Sequence, residues 1–85
     1  MARFLIERNY AEQVAPTPEI LAGIKHINDE EDVRWLFSFL SADKRKTYCL
    51  YEASNADAIR AAARRAGLPA DVIIEVSEIG PDMFA

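Results

Sequence analysis

The chain has 85 residues, is 51% hydrophobic and 28% charged, and carries a net charge of −4 and one cysteine. A length this small predicts a single domain over 1–85 that buries about 60–65% of its unfolded surface, and one thiol excludes an intrachain disulfide. The acidic balance argues against a nucleic-acid partner, which needs a positive field. No segment approaches a membrane span, and the apolar run 4–6 is too short for a signal peptide. With its lone thiol, the chain reads as a cytoplasmic protein.

Residues 3–8, RFLIER, alternate Phe4 and Ile6 against Leu5 and Glu7, which predicts a first strand. In PTPEILAGIKHIND, Thr17 suits a helix N-cap, Pro18 the first helical position and Glu19 the positive helix end. Ile20, Leu21, Ile24 and Ile27 follow at helical spacing. This helix should fade in the acidic run 28–32, where carboxylates oppose the helix dipole. Residues 33–41 and 46–53 predict two strands, and the connection between them is too short for a parallel crossover, so they form an antiparallel hairpin. A second helix should start at Ser54, with Asp57 three residues on as a capping-box partner, and stop at Gly67. Its inner stripe is Ile59, Ala62, Ala63 and Ala66. Residues 72–79 give the last strand, and 80–85 the tail.

The order β-α-β-β-α-β, with two right-handed crossovers, predicts a ferredoxin-like α+β fold: a four-stranded antiparallel sheet with both helices on one face. The other face then has no cover of its own. In strict alternation the helices would take Leu36, Ser38 and Leu40, leaving Val33, Trp35, Phe37 and Phe39 on the bare side; the opposite parity would crowd three aromatics beneath two short helices. Full burial of such a ring is worth on the order of 1.5–3 kcal/mol, and a contiguous apolar patch marks an interaction site. A twofold dimer packed sheet to sheet, a dimeric α+β barrel enclosing space for a small ligand, answers the problem. Cover by the 80–85 tail and the 9–16 loop is the alternative.

Few residues carry chemistry. His26, the sole histidine, has Glu30 one turn on, but two ligands make a weak metal site, and a surface histidine is the simpler reading. NDEED lacks the ligand alternation and glycine of a calcium loop. KTYCLY lacks the small residues of an RNA-recognition strand, and KRK at 44–46 reads as a hairpin tip. Cys49 reads as a small buried thiol. Glu7 shares the parity of Leu5 and should point to the bare face, while Glu75 interrupts the apolar run VIIEVS. A carboxylate held among aromatics is a setting for proton transfer or metal ligation, whereas at an exposed strand edge it is only solvated.

RFLIER, DKRKTYCLYEA, AIRAAARRAGLPAD and VIIEV together resemble a family of small bacterial proteins, a domain of unknown function that includes a nickel-binding, nickel-responsive member. The resemblance spans nearly the whole chain and implies a ferredoxin-like fold dimerised through the sheet face. It also implies histidines in W-x-H-S-Y and IR-x-HARRAG. This sequence has WLFSF and IRAAARRAG, so Phe37 and Ala62 stand there, and no metal residues are assigned. Imidazole is what such a nickel site relies on. The expectation is a non-enzymatic homodimer binding a small molecule, with Glu7, Trp35, Phe37, Tyr48, Cys49, Tyr51 and Glu75 as candidate ligand residues. Two alternatives stand beside it: a cofactor-free monooxygenase or isomerase of the dimeric barrel type, with Glu7 or Glu75 as base, and an interaction domain acting on another protein.

Overall fold

The structure, a computed structural model, describes residues 1–84. Its elements are β1 (Ala2–Asn9), α1 (Pro18–Glu30), β2 (Arg34–Leu40), β3 (Lys46–Ala53), α2 (Ala56–Ala66) and β4 (Val72–Val76), followed by a 3-10 turn, Pro81–Phe84. The sheet order is β2-β3-β1-β4 with every neighbouring pair antiparallel. This is the ferredoxin-like arrangement, with β1 and β3 in the middle and both helices on one side.

Local chemistry sets the ends of the helices. Thr17 caps α1, its hydroxyl accepting from the Ile20 N–H at 3.2 Å. The helix ends at Glu30, inside the acidic run 28–32 where it was expected to fade. Arg65 from α2 steadies this end: its guanidinium reaches Glu30 at 2.7 Å and Glu31 at 3.3 Å, neutralising carboxylates that would otherwise oppose the dipole. The same contact, with help from His26, holds the Glu30 carboxyl below its ordinary range. At α2 the cap is Asn55, whose side chain accepts from the Ala58 N–H at 2.9 Å, and not Ser54. Gly67 ends α2 in the left-handed region (φ 69°), where a residue without Cβ is unstrained.

The core lies between the sheet and the helices. Phe4, Ile6, Cys49, Tyr51 and Ala53 contribute from the sheet, Ile59 and Ala62 from α2, and Val33 from just before β2. Ile6 and Ile59 are its most deeply enclosed large side chains. The methyl-sized residues Ala62 and Ala63 let α2 sit close to the strands. The α2–β4 connection is tied to β1: the Asp71 N–H donates to the Glu7 carbonyl, and the Asn9 N–H donates to the Asp71 carboxylate at 2.7 Å.

One irregularity decides which residues see which side. Trp35 lies opposite Tyr51 and Phe37 opposite Leu50, so Leu36 has no partner and forms a bulge in β2. A bulge sets two residues against one and reverses the alternation beyond it. The expected bare-side set is therefore corrected at two positions. Trp35 turns to the helix side and packs against the core, and Val33 is buried there. Phe37 and Phe39 do face the bare side, and Ser38 and Leu40 the helices. A contact confirms the phase: the Trp35 indole N–H donates to the Ser38 hydroxyl at 2.8 Å. In an unbroken strand, residues three apart point to opposite faces. The last strand also ends earlier than its sequence pattern suggests, at Val76 rather than 79.

Candidate functional site

The registers across the sheet arrange each face into rows. On the open side one row reads Phe39, Tyr48, Glu7, Val72, the next Phe37, Leu50, Leu5, Ile74, and the third Arg34, Glu52, Arg3, Val76. The middle row is apolar from edge to edge. Phe39 is 66% exposed, Ile74 51% and Phe37 50%, and the two phenyl rings meet edge to face with centroids 5.5 Å apart. The third row is an ion-pair ladder, with Glu52 3.5 Å from Arg34 and 3.7 Å from Arg3. Glu7 is half-buried, with the Lys46 ammonium 3.9 Å away, and Lys46 also lies 5.9 Å from the centre of the Tyr48 ring.

The helix side carries the opposite parity: Trp35, Tyr51, Phe4, Glu75; then Ser38, Cys49, Ile6, Ile73; then Leu40, Thr47, Arg8. The seven candidate ligand residues are thus divided by the sheet. Glu7, Phe37 and Tyr48 share the open face. Trp35, Cys49 and Tyr51 face the helices. Glu75 has helix-side parity but sits exposed on edge strand β4, so it is not held among aromatics. The Cys49 thiol is buried, within 3.6 Å of the Thr47 hydroxyl. Burial pushes the Tyr51 phenol above its ordinary pKa, opposed by the adjacent Arg8 cation. His26 is a surface residue, 3.4 Å from Glu30.

Two buried polar residues escaped the sequence reading. Arg8 is 2% exposed, donates to the Pro69 carbonyl, and lies 5.8 Å from the centre of the Tyr51 ring. Its position was legible: Phe4, Ile6 and Arg8 fall on alternate residues of one strand. Asn28 is buried at the end of α1, and its amide nitrogen has no partner. It falls one turn beyond Ile24, on the apolar stripe, which was the available signal.

Among the described residues, no group of three or more His, Cys, Asp or Glu side chains gathers at metal-binding spacing. Phe37 faces outward on the open side, and Ala62 is packed in the core beneath α2. The donors within one chain therefore do not fit a nickel centre, since Glu7 and Cys49 lie on opposite sides of the sheet. No helix is long and apolar enough to cross a membrane among the described residues.

Fold and surface together define a small ferredoxin-like domain whose sheet is covered by helices on one side only. Residues 4–76 match the family described as nickel responsive protein SCO4226-like, and the chain belongs to that family. The crystal structure of SCO4226 from Streptomyces coelicolor A3(2) is similar, with a TM-score of 0.72 at 24% identity over 93% of this chain and 100% of that one. No curated protein matches the sequence.

Proposed function

We propose that this chain is a non-enzymatic, cytoplasmic bacterial binding module that works as a homodimer, two copies meeting through their open sheet faces to form a dimeric α+β barrel. The supporting observation is the apolar row Phe37, Leu50, Leu5, Ile74 with Phe39 beside it, aromatic and aliphatic surface that the described residues cover with no third layer. Packing it against a second copy removes that surface from water and closes the assembly at two. The space between the sheets would be lined by Glu7, Phe37 and Tyr48, one set from each copy, and would take a small organic ligand. Nickel suits it poorly, because Phe37 stands where the family resemblance implies imidazole and Ala62 where it implies a second one. The part of the 80–85 tail alternative that concerns the Met83–Ala85 side chains lies outside the described residues.

The enzyme reading is not favoured. Glu7 stands beside a lysine and Glu75 is exposed, so neither carboxylate has the apolar enclosure a general base needs.

Sedimentation equilibrium tests the assembly. The wild-type chain should run at twice its 9.5 kDa at tens of micromolar, and Phe39→Glu should run as a folded monomer. A wild-type monomer, or a Phe39→Glu dimer of unchanged affinity, would overturn the reading.

A further inference from the structure

On the other side of the sheet, beneath the N-terminal half of α1, lies a cavity of about 270 Å³. Its walls are apolar, formed by residues such as Val14, Ile24, Leu68 and the ring of Trp35. Its polar end carries Arg8, with Thr47 and Cys49 alongside. Arg8 is the unusual member. A guanidinium keeps its charge at any pH a protein meets, and buried charges are ordinarily paired. Yet no carboxylate among the described residues lies within ion-pair distance of Arg8. Its sequence neighbour Glu7 faces the opposite side, beside Lys46, and the Asp71 carboxylate accepts the Asn9 N–H. The Pro69 carbonyl and the Tyr51 ring engage part of the guanidinium. A guanidinium has five N–H donors, more than these two neighbours use.

A buried cation without a counter-charge, at the end of an apolar space, sets the chemistry of an occupant. An inorganic anion would match the charge and leave the walls unfilled. A neutral hydrocarbon would fill the walls and leave the charge. We propose that the cavity binds a short-chain amphipathic carboxylate, with the acid group on Arg8 and the hydrocarbon tail along the apolar wall between α1 and the sheet. The volume lies just below the span usual for drug-sized ligands, which favours a compact chain. The mouth is half-open where Ile20 and Leu40 line it, giving a route in. Because the site lies on the helix side, it does not depend on the sheet-face dimer.

Trp35 is the only tryptophan and lines the cavity, so its fluorescence reports occupancy directly. Octanoate should change the Trp35 emission saturably in the micromolar range. Octanol should bind at least tenfold more weakly, and octylamine should not bind. From butanoate to octanoate the affinity should rise about fourfold per methylene, the value of burying one CH₂. Arg8→Met should weaken octanoate by about tenfold to a hundredfold and leave octanol unchanged, the loss expected for a hydrogen bond to a charged group. Should that variant fail to fold, Ile20→Phe/Leu40→Phe, altered only at the half-exposed mouth, decides: octanoate binding must fall at least tenfold while the fold is retained. Equal binding of octanol and octanoate, octanoate binding untouched by the mouth variant, or no response at millimolar octanoate would overturn the proposal.

Discussion

The two faces of the sheet are built from the same four strands, often from adjacent residues, yet they hold opposite inventories. The helix face contains the core together with buried polar groups: Arg8, Thr47, the Cys49 thiol and the Tyr51 phenol. The open face exposes Phe37, Phe39, Val72 and Ile74. Burial is thus an incomplete guide to polarity in this molecule. Each face departs from the rule that apolar side chains go inside, and each departure coincides with a place where the described residues supply no partner: counter-charge on one side, a covering layer on the other.

The sharpest way to break the comparison is to slip the start of β2 by one residue, which exchanges the two faces there. Deleting Arg34, the open-side residue between Val33 and Trp35, should move Val33 to the open side and bring Asp32 to the buried position Val33 leaves. Losing the burial of Val33 costs about 1.5–3 kcal/mol, and a carboxylate drawn into its place adds a desolvation cost of several more. Together these are comparable with the whole stability of a domain this size. Urea titration should find the deletion variant unfolded or nearly so, and a wild-type midpoint would refute the register described for β2.

A smaller effect tests the faces one residue at a time. Ile59→Ala should lower stability by about 2–5 kcal/mol, because it leaves a cavity in the enclosed core. Ile74→Ala on the open side should leave the monomer within about 0.5 kcal/mol of wild type, in line with surface substitutions. Its effect should appear instead as weaker self-association in sedimentation.

The smallest expected effect is confined to alkaline solution. Burial raises the Tyr51 pKa in the folded state, so the unfolded chain, with an ordinary phenol near 10.0, gives up its proton first. Stability contributed by neutral Tyr51 is therefore full below that pH and declines as pH rises above it. Tyr51→Phe should flatten the alkaline limb of the stability profile, measured by urea midpoints between about pH 9 and 11. An identical limb in the variant would remove Tyr51 as the cause.

The architecture was legible because each element carries an independent local signal: Thr17 before Pro18, the Gly67 stop, the alternation of Phe4 and Ile6, and a hairpin connection too short for any crossover. The division of candidate residues between faces was much less legible. Parity counting assumes an unbroken strand, and nothing in VRWLFSF marks the bulge, since Leu36 is neither glycine nor proline. Phe37 and Phe39, beyond the bulge, were placed on the correct side, whereas Val33 and Trp35, before it, were not. Glu7 and Tyr48 belong to regular strands and fall where counting puts them. Arg8 shows a different blindness: its parity was plain, but arginine is so seldom buried that charge outweighed position.

The irregularity in β2 also bears on how copies of this chain can join. Strand β2 forms one margin of the sheet, and exposed margins are the usual templates for endless strand-on-strand addition. An interrupted run of backbone donors and acceptors at Leu36 spoils that template, while the greasy broad side, on the pairing proposed above, would be satisfied by one neighbour. Such a pairing would favour finite complexes over fibrils.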